Sequence, residues 1–360
     1  MILKHIENGI VDDMSKRQVR YIKPVPVKQS EKKLKEIYLQ IRADFQLVPP
    51  LTLFSPVPEL LAAIWGIWRE SQFVTDNVSR VITETVAAGV SSINSCPYCV
   101  DAHTGMLHAL AEGDIVKSIH AQAPANIDNK TYSKILEWAL ANRQPDNPCI
   151  KHPPFAKHEA PEIIGTAFVY HFVNRMVSIF LTESPLPLTA GSSRIRRGAA
   201  KVFGKTIGKS ITRRKPSAGS SLKFLPCAEL PEDFSWCEDS QNIAGAFAGF
   251  THTIEHLSIH KIPASVRLLL EDRVKRWRGE QTGLSREWLE ESILDIADND
   301  KACARLLLLT ALAPYKVSAE DIESFREDYP GEHDLLVFTA WASYIAARRV
   351  CQWLNHFPEQ

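Results

Sequence analysis

Apolar side chains recur at three- and four-residue spacing along most of this chain, and no stretch alternates convincingly with period two. The pattern predicts helices over Ser30–Phe45, Pro58–Trp68, Val78–Val90, Cys96–Glu112, Lys130–Asn142 and Pro161–Leu181, and with them an all-α fold. Pro58 and Pro97 stand where a helix's first turn tolerates a missing N–H. After Leu181 the periodicity stops. The stretch ESPLPLTAGSS reads as linker, and residues 194–215 carry nine Lys/Arg and no acid. A second helical region runs from Phe224 to the end. The expected organisation is an N-terminal arm (1–29), a helical domain (30–185), a basic linker (186–223) and a second helical domain (224–360).

The two helical regions echo each other. Residues 134–141 read like 305–312, a shift of 171. Thr166-Ala-Phe, Phe172, Arg175, Val177, Phe180 and Leu181 then match Thr339-Ala-Trp, Ile345, Arg348, Val350, Trp353 and Leu354, a shift of 173. Two segments in the same order at nearly the same shift argue for a duplicated helical domain. The second copy has no pair of cysteines where the first does.

Charge changes this picture little. The 360 residues hold 42 Lys+Arg and 42 Asp+Glu, so no global field draws the protein to nucleic acid or an anionic membrane. The basic segment 194–215 is open to two readings, a solvated connection or a basic amphipathic surface for membrane or nucleic acid. The first is preferred, and neither nucleic acid nor membrane is expected as a partner. The N-terminus lacks the apolar stretch of a signal peptide, and the longest clean apolar run, Leu60–Trp68, covers nine residues, about half a span. A cytoplasmic protein is expected. Five of the seven cysteines (Cys149, Cys227, Cys237, Cys303, Cys351) are scattered without a framework, as in a reducing compartment.

Cys96 and Cys99 are the exception. With a helix beginning at Cys96 behind the cap candidates Asn94 and Ser95, Cys99 lies in the first turn. The backbone N–H groups and the positive end of the helix dipole there favour a thiolate. His103 follows four residues on, on the same face, and can carry a proton near neutral pH. Glu84, one turnaround upstream, is placed to orient that histidine. A thiolate, a resolving thiol, a base and an orienting acid are the parts for oxidising a thiolate with a peroxide and closing a disulfide. Two metal readings compete. Cys96, Cys99, His103 and His108 could ligate zinc, but they crowd one helix without the loop that closes a tetrahedron. His252-Thr-Ile-Glu255-His256 fits the inverted zinc-peptidase pattern, a short motif easily met by chance. No metal is expected at either place.

Glu84-x11-Cys96-x2-Cys99-x3-His103, with Ser91 and Asn94 ahead and Tyr98 between the cysteines, resembles the active-site signature of the AhpD-like alkylhydroperoxidases. They belong to the all-helical carboxymuconolactone decarboxylase superfamily. Phe45–Pro50 and Ser55–Ala62 are similar to its peroxidase-related branch. The resemblance covers about residues 30–181, with the C-terminal half as a degenerate copy. It implies a hydroperoxide substrate, a peroxidatic Cys99, a resolving Cys96, and a proton relay through His103 and Glu84. No bound cofactor is implied. A thiol or dithiol reductant, including one of the lipoyl type, would reset the pair, and a homo-oligomer is expected. Tyr98 stands where the family's best-studied type has a histidine, and a phenol is a weak base near pH 7. The alternative of another class is a redox-sensing or scaffold protein in which the dithiol registers oxidation without turnover.

Overall fold

A computed structural model describes residues 12–182 and 214–355, which form helices joined by short turns. Among these residues the only β pairing is an isolated antiparallel bridge between Val19 and Leu181. The fold is all-α. The first half consists of α1 (12–18), α2 (Lys32–Asp44), α3 (Pro49–Thr52), α4 (Pro58–Trp68), α5 (Arg80–Ile93), α6 (Pro97–Ala109), α7 (Gly113–Ala121), α8 (Lys130–Ala141), α9 (Pro148–Lys151) and α10 (Ala160–Phe180). The second half holds α11 (Gln241–Ser258), α12 (Ala264–Arg276), α13 (Glu287–Ser292), α14 (Asp298–Leu312), α15 (Ala319–Asp328) and α16 (Glu332–Leu354).

The predicted helices stand within a few residues of their expected bounds, and one helix beyond them, α7, was not predicted. The helix expected over Cys96–Glu112 stops at Ala109, where Ala111 turns left-handed at φ 68°, and a separate α7 follows. α4 runs on into a π-helical turn, Arg69–Phe73, a form common beside functional sites. α5 is the central helix, packed on α6, α8 and α10. Gly89 permits the α5–α8 approach, since a Cβ there would stand 2.7 Å from that of Ala139.

The expected division into two domains meets a shared interior. α4 packs on α11 and α10 on α16, and one hydrophobic cluster runs from Val19 to Leu354 through both halves. A smaller cluster of Ala88, Leu107, Ile115, Val116, Ile119, Ile127 and Leu136 fills the space between α5, α6, α7 and α8. A buried ion pair of the first half is also tied by hydrogen bonds to the chain beyond it. Arg69 meets Asp44 at 2.7 Å and Glu70 at 2.5 Å, and Glu70 accepts from Ser221 Oγ at 2.5 Å and Asn242 Nδ2 at 3.0 Å.

α10 is long and apolar enough to cross a membrane by length and composition, but 94% of that stretch is buried inside the molecule. The basic segment 194–215 lies outside the described residues apart from its last two. Of these, Arg214 donates to the carbonyls of Arg42 and Phe45 at the end of α2.

Candidate active site

The turn between α5 and α6 sets the site. Asn94, one of the two expected capping residues, closes α5 as its C-cap, but neither it nor Ser95 is the N-cap of α6. Ser95 takes the left-handed conformation at φ 54°, the N-cap position falls to Cys96, and Cys96 N–H bonds the Ser91 carbonyl at 3.0 Å. This sharp reversal lays α6 back along α5 and brings residues 84, 91, 96, 99 and 103 to one place. Cys96 and Cys99 are both buried free thiols with Sγ atoms 2.9 Å apart, close enough to bond by rotation of side chains alone.

The two sulfurs are not equivalent. Cys99 borders a cavity of about 100 Å³, room for a few waters or a small reacting group, whereas Cys96 lies behind it. The cavity is walled mainly by apolar side chains, among them Phe45, Pro49, Trp68, Phe73 and Met106, with His103 and Glu84 also at its surface. His103 Nδ1 meets Glu84 Oε2 at 2.6 Å, and Arg80 Nε donates to Glu84 Oε1 at 2.7 Å. Burial works against charge on Glu84, but Arg80 and His103 outweigh it and hold the carboxyl below its usual value. An ionised Glu84 can only accept, so Nδ1 carries the proton and Nε2 is left as the basic nitrogen. Tyr170 fixes the ring from its edge, with centroids 4.6 Å apart, and donates to Gln72 Oε1 at 2.6 Å.

One expectation is corrected. Position in the first helical turn predicts a Cys99 thiolate at neutral pH. In the fold, burial and the neighbouring Cys96 sulfur push the Cys99 thiol well above its ordinary value, with the Asn174 side chain as the opposing influence. Desolvation of the enclosed sulfur opposes what the helix end favours. Nor does His103 bond the sulfur directly; its imidazole is turned to Glu84. Tyr98 is likewise held neutral by burial, pushed well above 10, and donates to Gln18 Oε1 at 2.9 Å, closing one side of the site.

The fold adds residues the motif does not contain. Arg80 precedes Glu84 by four residues, a spacing that marks an ion pair on any helix. Asn174 and Tyr170 arrive from α10 and Gln18 from α1, with no signal in the local sequence. Asn94 Nδ2 donates to Asn174 Oδ1 at 3.0 Å and stands 3.2 Å from His171 Nδ1, and Asn174 Nδ2 donates to Ser91 Oγ at 3.1 Å.

Neither zinc reading gains a centre. Among the described residues no group of three or more His, Cys, Asp or Glu is placed to hold a metal. His252 and His256 stack at 6.1 Å on an exposed face of α11, and Glu255 is engaged by Arg267 at 2.6 Å.

No family model matches the chain. A Mycobacterium tuberculosis protein described as alkyl hydroperoxide reductase Rv2159c is 34% identical over 345 residues, covering 95% of this chain and 96% of the relative. That likeness runs through both halves, well beyond the dithiol motif, and the chain belongs to the AhpD-like alkylhydroperoxidase family.

Proposed function

We propose that the protein is a thiol-dependent peroxidase that reduces organic hydroperoxides through a cycling Cys96/Cys99 pair. The observation that carries this reading is the asymmetry of the dithiol. One sulfur borders an apolar cavity shared with a histidine–carboxylate pair, and the second waits 2.9 Å behind it. The name of the mycobacterial relative supports the same substrate class.

Because Cys99 rests as a thiol, the first step needs a base. His103 Nε2 takes the Cys99 proton across the cavity, by way of a water or the hydroperoxide itself. The sulfur attacks the outer peroxide oxygen, an S–O bond forms, the O–O bond breaks, and the protonated imidazole returns its proton to the departing alkoxide. The products are an alcohol and a Cys99 sulfenic acid. Cys96 then attacks the Cys99 sulfur. The S–O bond breaks, hydroxide leaves with the Cys96 proton as water, and a disulfide remains. An external dithiol, a lipoyl group being the candidate, returns two electrons and two protons by thiol–disulfide exchange at Cys99, the sulfur at the cavity. Glu84, kept ionised by Arg80, stabilises the imidazolium during proton transfer.

Hydroperoxide consumption with a dithiol reductant in excess tests the reading. Many turnovers per protein are expected. Consumption that stops at one equivalent would replace the enzyme with a redox sensor.

A further inference from the structure

We propose that Gln72 is a positioning residue of the site: acting through Tyr170, it holds the His103 imidazole in the setting from which Nε2 takes the Cys99 proton. The inference rests on the peroxidase reading for the role of His103. Gln72 is 0% exposed and sits in the π-helical turn Arg69–Phe73. Its Oε1 accepts two short hydrogen bonds, from the Trp68 indole at 2.6 Å and from the Tyr170 hydroxyl at 2.6 Å. An indole N–H only donates, which identifies that amide atom as the oxygen. An oxygen without a hydrogen obliges the phenol to donate as well. Burial pushes the Tyr170 phenol well above 10, so the donor keeps its proton. The Tyr170 ring in turn meets the imidazole of His103 edge-on, with centroids 4.6 Å and planes 82° apart. Trp68, Tyr170 and His103 border the cavity and Gln72 does not, so Gln72 works through Tyr170 without meeting a substrate.

The π-turn places this oxygen. The Ser71 carbonyl accepts from Thr166 Oγ1 of α10 at 3.3 Å. The Gln72 carbonyl accepts from Thr83 Oγ1 of α5 at 3.3 Å, a hydrogen shared with the Arg80 carbonyl at 3.2 Å. Gly165 lets α10 come this close, since a Cβ there would stand 2.4 Å from Ser71 Oγ. Thr83 immediately precedes Glu84, and Thr166 lies one turn before Tyr170. The turn is thereby lodged between the helix that carries the carboxylate of the His103 pair and the helix that carries the phenol. His103 then has two fixed neighbours, Glu84 on Nδ1 at 2.6 Å and Tyr170 against its ring. One hydrogen bond alone leaves an imidazole able to tilt, because the torsion that turns it is soft. The phenol, anchored at its hydroxyl, removes that freedom, and proton transfer needs its partners held within about 0.5 Å.

Two readouts test this in the full-length protein. The first is the nitrogen NMR spectrum of reduced protein carrying isotope-labelled histidine, with His103 assigned by its loss in His103→Gln. A single tautomer protonated at Nδ1 is expected in the wild type. Tyr170→Phe keeps the ring and removes only the hydroxyl, and the two nitrogen signals are expected to draw together as the tautomers mix. The second readout is peroxide turnover, where the same variant is expected to lower kcat about tenfold with KM for the hydroperoxide within about twofold. Gln72→Met keeps the volume and removes the acceptor, and is expected to lower kcat at least as far. Adding Tyr170→Phe to it should cost less than about a further twofold, because both changes cut one link. An unchanged nitrogen spectrum in Tyr170→Phe, a loss carried by KM in place of kcat, or losses that multiply to about a hundredfold in the double variant overturn the proposal. Tyr170→Phe decides the matter if the Gln72 variants do not fold. The spectra need no peroxide, so a wild type without turnover would sink the proposed function and leave the positioning result readable.

Discussion

The two halves of the chain share part of a helix arrangement and differ around it, since α14 packs closely on α16 while α8 and α10 stay apart. α12 lies on α14 and α16 as α5 lies on α8 and α10, and the echoing helices α10 and α16 face each other. We infer that one helical unit has been duplicated. Between α5 and α8 the first half inserts α6 and α7, and α6 carries the dithiol. At the corresponding place the second half has the irregular stretch Trp277–Arg286 and then only the short α13. That stretch grips the first half instead. Arg143 donates to the carbonyls of Gly279 at 3.0 Å and Glu280 at 3.1 Å, and its guanidinium lies 5.4 Å from the Trp277 ring. The second half has buried cysteines too, and burial pushes Cys303 and Cys351 up just as it does Cys99. Burial therefore does not distinguish an active thiol from an inert one. What sets Cys99 apart from them is its cavity, its second sulfur and the His103–Glu84 pair beside it.

The largest effect that can break this contrast is loss of turnover on one side alone. Cys99→Ser is expected to bring peroxide consumption to background. Cys96→Ser should still oxidise Cys99 once, accumulate trappable sulfenic acid and stop. Cys303→Ala should leave turnover within about twofold, its cost being a small cavity in the core. Steady-state assays and a sulfenate probe check all three, and loss of turnover in the Cys303 variant would erase the division of labour.

Next in size is Glu84→Gln. The amide cannot stabilise an imidazolium, so kcat/KM should fall about 10²–10³-fold. Arg80, partly buried, is left without its carboxylate, so stability should fall by about 2 kcal/mol. The pH sign is fixed by the depressed Glu84 value. Its contribution is complete above the ordinary carboxylate value of about 4.5 and is lost as pH falls through the lower folded value. Denaturation curves should therefore separate wild type from variant at neutral pH and bring them together in strong acid.

Gly279→Ala probes the grip of the second half. Gly279 has φ 92°, and a Cβ there would run into the Arg143 carbonyl. A loss of about 3 kcal/mol is expected on thermal or urea unfolding, with the oxidation of Cys99 unchanged in the folded protein. Asp233→Asn should show the smallest effect, about 1 kcal/mol, from its two-pronged contact with Arg348 at 2.6 and 2.7 Å. Burial opposes charge on Asp233, but Arg348 holds it below its usual value. The difference from wild type should accordingly be present above about pH 4 and vanish as pH falls through the depressed value.

Much of this was legible along the chain, for physical reasons. Pro58 and Pro97 mark helix starts, and the apolar period places α4, α5, α8 and α10. The dithiol, His103 and Glu84 fall within 20 residues of one another, so a single reversal at Ser95 unites them. Arg80 was within reach of the same reasoning, as an i,i+4 partner of Glu84. Asn174, Tyr170 and Gln18 were not, because each reaches the site from a helix about 65–80 residues away from the residue it serves. The elevated Cys99 thiol was hidden for a related reason. A helix end can be read from local sequence, whereas desolvation depends on what the rest of the chain brings over it.

The most direct test of the central claim is peptide mapping of the full-length reduced protein after one equivalent of an organic hydroperoxide. The predicted result is a single Cys96–Cys99 disulfide, with Cys149, Cys227, Cys237, Cys303 and Cys351 still reduced. A disulfide formed elsewhere, or Cys99 carried to the sulfonic acid with Cys96 untouched, would contradict it.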